Sequence, residues 1–163
     1  MININLWNSN IGKNIVNNRK ILQLLNESFK SKKHLINNKT YVISLMSNNE
    51  ILGSISLIQN KDLIAYLENI MTEEEYQSSY IFRAGKGMYI YNLAVSKQYR
   101  GNGIAQKLLD IALYVSKIKK SSYCHASCEN EISSHIFEKR GFKTEKNFTN
   151  NKGQQIRLMS SWL

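Results

Sequence analysis

A mixed α/β domain is the fold class this sequence predicts, and three observations carry that reading. Residues 88–95, 104–117 and 122–127 read as strand, helix and strand, a unit that demands a right-handed crossover and a locally parallel strand pair. Two pairs of strand-like runs, 41–46 with 51–58 and 142–148 with 155–163, are joined by turn-forming linkers and read as antiparallel hairpins. The opening Met-Ile-Asn-Ile-Asn-Leu-Trp-Asn alternates apolar and polar residues as a half-buried strand does. With 163 residues and 42% hydrophobic content the chain can bury one sizeable core, so residues 1–163 are read as a single domain.

After the opening strand, Asn17 or Asn18 is placed to cap a helix, because Ile21, Leu22, Leu24, Leu25 and Phe29 recur at helical spacing to about residue 31. The first hairpin then turns through Ser47-Asn48-Asn49-Glu50. Residues 61–87 are the least regular stretch and hold five of the twelve acidic residues: Asp62, Glu68, Glu73, Glu74 and Glu75. In the helix at 104–117, Ile104, Leu108, Ile111, Ala112 and Val115 form one apolar face. A helix over 131–139 stops at Gly141, which suits a left-handed C-terminal cap, and the last hairpin turns at Asn150-Asn151-Lys152-Gly153.

The formal charge is +10, from 22 Lys and Arg against 12 Asp and Glu. That surplus raises the local concentration of anionic partners, whether a nucleotide-bearing cosubstrate, nucleic acid or an acidic surface. The clusters Lys30-Ser31-Lys32-Lys33 and Lys117-Ile118-Lys119-Lys120 are short, and no basic stripe with interleaved aromatics is present. They read as solvated surface, and nucleic-acid binding is not expected as the main activity. Cys124 and Cys128 are too few and too close for a disulfide framework, which points to a reducing compartment. No apolar run approaches the roughly 20 residues that span a bilayer. A cytoplasmic protein with no membrane partner is expected, and a homodimer is left open. The two cysteines with His125 and His135 match no familiar zinc spacing, so no metal is expected, and buried small apolar residues account better for the cysteines.

The stretch Gln98-Tyr99-Arg100-Gly101-Asn102-Gly103-Ile104-Ala105 sits between the 88–95 strand and the next helix. A helix start leaves N–H groups unpaired and carries the positive end of the helix dipole, so glycines there let an anion approach the backbone. A phosphorylated ligand is one reading and a plain tight turn is the other. The dinucleotide fingerprint fails because Gln106 stands where a small residue is needed and no acidic residue occupies 123–128. Neither this loop nor Gly85-Lys86-Gly87-Met88 fits the P-loop pattern.

A second signature follows in Asn130-Glu131-Ile132-Ser133-Ser134-His135-Ile136-Phe137-Glu138-Lys139-Arg140-Gly141-Phe142. Together with Leu93-Ala94-Val95 and the glycine loop, it resembles the GNAT superfamily of acyl-CoA-dependent N-acetyltransferases, over about residues 88–142. The resemblance implies a central twisted mixed sheet of about six to seven strands flanked by helices, with acetyl-CoA and an amine acceptor as substrates. It also implies that backbone N–H groups from Arg100 to Ala105 hold the pyrophosphate, beside Gln98. Leu93 and Val95 would pair their backbones with pantetheine, and an N–H near Leu93 or Ala94 would face the thioester oxygen. Asn130 would either hydrogen-bond pantetheine or cap the helix that follows it, the two readings standing level.

Phe137 stands where the family often places a Tyr that protonates the departing sulfur, and it cannot donate a proton. A cysteine-like thiol has a pKa of about 8.5, so its thiolate leaves tolerably, and proximity alone can supply about 7–11 kcal/mol at its upper end. Substitute donors are Ser127, Cys128, Ser133, Ser134, His135 and Tyr91, with His135 expected to face solvent. The amine, with a pKa of about 10.4 if lysine-like, must also lose a proton. Tyr89, Ile90, Tyr91 and Asn92 offer no carboxylate, so Tyr89, Tyr91 and Asn92 could position a water, or Glu68, Glu73, Glu74 or Glu75 could fold over the site. The preferred reading of those acids is a solvated helix start. Tyr91, Asn92 and Ser134 are the candidate catalytic residues, and Phe137 joins the acyl-CoA set. The expected activity is acetyl transfer to a primary amine by direct attack, in a protein whose rival description is a non-catalytic acyl-CoA-binding module.

Overall fold

A computed structural model describes residues 1–8, 15–29, 36–67, 85–150 and 152–163. Its elements run β1 (Asn3–Asn8), α1 (Ile15–Ser28), β2 (Tyr41–Ser47), β3 (Glu50–Gln59), α2 (Asn60–Leu67), β4 (Gly87–Val95), a 3-10 turn (Lys97–Tyr99), α3 (Ile104–Ile118), β5 (Tyr123–Cys128), α4 (Glu131–Glu138), β6 (Lys143–Thr149) and β7 (Gln155–Trp162). The seven strands form one mixed sheet in the order β1-β2-β3-β4-β5-β7-β6, as the α/β reading expects.

Turn chemistry sets much of the register. Asn48 and Asn49 take φ of 47° and 66°, the pair of left-handed residues that a two-residue hairpin needs, and Ser47 faces Glu50 across it. β4 and β5 pair in parallel through Gly87↔Tyr123, Met88↔Cys124 and Tyr89↔His125. β5 then pairs antiparallel with β7 along its whole length. The edge strand β6 is almost wholly exposed and carries Lys143, Glu145 and Lys146, charges that discourage pairing with another chain.

The chain divides into two compact units, Met1–Leu57 with Tyr91–Ala112, and Ile58–Ile90 with Leu113–Leu163. In the first, Ile21, Leu24 and Leu25 of α1 bury against Val42 and Ala94, with Phe29, Ile36 and Ile51 at the margin. Burying side chains of that size contributes roughly 1.5–3 kcal/mol each. Gly53 lies beneath α3 in this unit: a Cβ there would fall 2.7 Å from the Ala94 carbonyl oxygen and 3.0 Å from Leu108, so the close approach exists because β3 carries no side chain at that point. In the second unit, Tyr123, Ile156 and Leu158 bury together with Phe148, and Phe137 meets Phe142 edge-on at 4.9 Å.

Three local expectations are corrected. Asn17 and Asn18 lie inside α1, which is already helical at Ile15, so neither caps it. The stretch expected to be irregular opens with α2, whose Leu63 and Asn60 are buried. Ile111 is only half-buried, while Leu109 and Ser116 are fully buried, so the inner face of α3 is rotated away from Ile111. Lys30-Ser31-Lys32-Lys33, Glu68, Glu73, Glu74 and Glu75 lie outside the described residues.

Candidate functional site

The glycine loop is built as an anchored turn with an open face. Where β4 ends, the Ser96 amide donates to Leu52 at 2.9 Å and its hydroxyl to Ile51 at 2.6 Å, fixing the strand end to β3. In the 3-10 turn the Tyr99 hydroxyl and the Gln98 amide, the latter at 3.3 Å, both donate to the Glu50 carboxylate. Arg100 Nε donates to the Val95 carbonyl at 3.2 Å, and Asn102 Nδ2 is shared between the Tyr99 and Arg100 carbonyls, each at 3.2 Å. These bonds anchor the loop through side chains and leave the amides of residues 101–105 out of them.

Gly101 and Gly103 adopt φ of 79° and 74°, a region that strains other L-residues, and a Cβ on either would meet nothing within 4 Å. Their role is conformation, and the space beside them is open. Among the described residues, the amides of Gly101, Asn102, Gly103, Ile104 and Ala105 have no hydrogen-bond acceptor. Unpaired amides around the N-terminus of a 15-residue helix make a cradle for a diphosphate, and exposed Lys97, Arg100 and Lys107 add positive charge. The residues present thus fit the pyrophosphate of an acyl-CoA.

Upstream on β4, Leu93 and Val95 are half-buried and Ala94 is buried. Asn92 takes φ of 51°, an uncommon conformation for a strand residue, and its Nδ2 is shielded from solvent with no partner among the described residues. The neighbouring Tyr91 hydroxyl lies 3.1 Å from Thr40 Oγ1, and Thr40 is buried. Tyr91, Asn92, Leu93, Ala94, Val95, Gln98 and the glycine loop therefore belong to one compact unit.

Asn130, Ser134 and Phe137 belong to the other. The Asn130 side chain caps α4, its oxygen accepting the Ser133 amide at 2.8 Å, so of its two readings the cap is realised. The Ser134 hydroxyl donates to the Asn130 carbonyl at 3.0 Å, which commits its proton within α4. Phe137 is buried, and His135 is exposed, 3.9 Å from Glu138. Burial pushes the thiols of Cys124 and Cys128 up to about 11, leaving both as inert apolar groups.

Sequence reasoning missed a buried polar line in this second unit. His125 Nε2 lies 2.6 Å from Asn60 Oδ1, and Asn60 Nδ2 donates to the Tyr123 hydroxyl at 2.8 Å. That amide orientation makes Nε2 the protonated nitrogen of the imidazole. Burial drives the His125 pKa down to about 3, so the ring stays neutral. The line fits because Gly87 has no side chain: a Cβ would overlap the Asn60 amide and come within 2.5 Å of the Tyr123 ring. Tyr89 lies over the His125 ring at 5.1 Å, and desolvation raises its phenol pKa despite a hydrogen bond with Ser127.

Among the described residues no helix is long and apolar enough to cross a membrane. The family model described as Acetyltransferase (GNAT) family matches residues 18–142. Solved structures with the same fold include an agmatine N-acetyltransferase in its apo form, with TM-score 0.73 at 8% identity and 100% of both chains covered. The NatC complex bound to Gag peptide and CoA matches with TM-score 0.67 at 17% identity, covering 99% of this chain and 98% of that one. An IAA acetyltransferase from Bacillus cereus matches with TM-score 0.63 at 16% identity, over 100% of both. At such identities the likeness is one of fold.

Proposed function

Because this chain belongs to the GNAT acetyltransferase family, we propose that it is a single-domain N-acetyltransferase that moves an acetyl group from acetyl-CoA to a primary amine by direct attack, with both substrates bound. The observation that carries this reading is the row of unpaired amides at Gly101, Asn102, Gly103, Ile104 and Ala105. They hold the pyrophosphate, and Leu93 and Val95 offer backbone groups to the pantetheine amides. An N–H at Leu93 or Ala94 meets the thioester oxygen as it gains charge. Phe137 has no proton to give the departing sulfur.

The acceptor class that fits best is a small cationic amine. Five acidic residues fall within 62–75 of a chain whose net charge is +10, and the agmatine enzyme of the same fold acts on such a molecule. Two free thiols suit a cytoplasmic setting. A panel of primary amines, assayed for thiol release from acetyl-CoA, tests the proposal. Saturable release with at least one cationic amine is expected. Acetyl-CoA binding with no release for any amine would instead identify a non-catalytic acyl-CoA-binding module, the reading that Phe137 favours.

A further inference from the structure

We propose that Asn102 is a self-modification site: its side chain deamidates through the Gly103 nitrogen, and the carboxylate that results ends acyl-CoA binding at the glycine loop. The inference rests on the transferase reading above, because it takes the loop amides as the pyrophosphate cradle. Of the twenty asparagines in the chain, Asn102 alone is followed by glycine. That neighbour decides the chemistry, since a side chain on the following residue hinders closure of the succinimide ring and glycine has none. Both residues are exposed, so water reaches them, and a Cβ at Gly103 would meet nothing within 4 Å. The loop therefore has room for the ring to form.

The attacking group is a backbone nitrogen, which must shed its proton first. Among the described residues the Gly103 N–H has no acceptor, so no internal hydrogen bond has to break. Gly103 immediately precedes Ile104, where the 15-residue α3 begins, and the positive end of that helix favours a nitrogen that has lost its proton. Exposed Lys97, Arg100 and Lys107 in the same stretch act in the same sense. On the other side of the reaction, Asn102 Nδ2 donates to the Tyr99 and Arg100 carbonyls, each at 3.2 Å. Both bonds are at the long end of the hydrogen-bond range, so they steady the group that must leave without locking it.

The step balances with water as its co-reactant. The Gly103 nitrogen bonds to Asn102 Cγ, the Cγ–Nδ2 bond breaks, and Nδ2 leaves as ammonia, carrying the proton that Gly103 shed. Water then opens the succinimide at either of its carbonyl carbons. Opening at Cγ leaves an aspartyl side chain, and opening at the backbone carbonyl leaves an isoaspartyl link that lengthens the loop backbone by one carbon. Either product sets a negative charge among amides suited to a diphosphate, and like charges repel. The coupling also runs the other way. A phosphate oxygen that accepts the Gly103 N–H holds its proton in place, so a loaded protein ages slowly and an unloaded one loses its cradle.

The parent protein is held at mildly alkaline pH with and without acetyl-CoA. Trypsin, cutting after Arg100 and Lys107, then releases residues 101–107 for mass spectrometry. Position 102 is expected to convert faster than any other asparagine, to a mixture of aspartyl and isoaspartyl forms. Acetyl-CoA at about ten times its Kd should slow the conversion about tenfold, in proportion to the fraction bound. The acidic species, separated by ion exchange and shown by urea unfolding to be folded, should bind acetyl-CoA at least about tenfold more weakly by calorimetry. Asn102→Asp should be weakened likewise. Asn102→Gln, whose longer side chain disfavours ring closure, should keep its own starting affinity through the same incubation. An intact position 102, a conversion rate indifferent to acetyl-CoA, an acidic species of parental affinity, or an N102Q variant that loses affinity as fast as the parent would each overturn the proposal while leaving the transferase reading intact. A fresh parent that does not bind acetyl-CoA would overturn both.

Discussion

Two pairs of glycines in this chain do opposite work. Gly53 and Gly87 lie in strands at ordinary φ and are needed because there is no room: a Cβ would strike the Ala94 carbonyl in one case and the Asn60 amide with the Tyr123 ring in the other. Gly101 and Gly103 lie in an open loop where a Cβ would touch nothing, and are needed because φ is positive. The first pair lets the body of the protein close-pack, and the second sets the backbone of an open loop. The same residue type therefore answers two different demands, crowding in the strands and backbone angle in the loop.

That contrast should survive mutation. Gly87→Val forces the Asn60 amide and the Tyr123 ring aside and is expected to cost about 3 kcal/mol of stability, read as a lower urea midpoint at unchanged slope. A loss under about 1 kcal/mol would mean the strand yields easily and the crowding is not what selects glycine. The buried line that Gly87 accommodates also predicts a pH dependence. Unfolded, His125 titrates near about 6.5; folded, burial holds it down to about 3. Between those values the unfolded chain binds a proton that the folded chain refuses. The His125 contribution is then whole above about pH 6.5 and is lost as pH falls toward 3, on the order of a few kcal/mol. His125→Gln should flatten the stability curve across that window, and an equally steep curve would show that other groups set it. The smallest effect belongs to Asn130: Asn130→Ala should cost about 1 kcal/mol by uncapping α4, while Asn130→Asp keeps the cap and the stability. Equal losses in both would point to a role beyond the cap.

What could be read from the chain alone follows the range of the forces involved. The glycine loop, the Asn48-Asn49 hairpin and the Gly141 helix stop are local: a few adjacent residues set φ, and the φ values of 79° at Gly101 and 81° at Gly141 agree. The parallel β4–β5 pair followed from chirality and topology. Asn60 and His125 meet at 2.6 Å across 65 positions of sequence, and nothing near either residue announces the other. Thr40 and Tyr91, 51 positions apart, were invisible as a pair for the same reason. The misplaced cap at Asn17 or Asn18 came from counting the apolar period only from Ile21, whereas α1 is already helical at Ile15. α2 was missed because an eight-residue helix gives too short a period to stand out in a mixed, acidic stretch.

Acetyl-CoA is expected to bind at the open amides of the glycine loop. Calorimetric titration of acetyl-CoA into the parent, Gly101→Val and Gly103→Val, with urea unfolding of each, measures this directly. Each valine should cost about 1–2 kcal/mol of stability through its positive φ, leaving the protein folded, while acetyl-CoA affinity falls at least tenfold. Parental affinity in both folded variants would contradict the assignment.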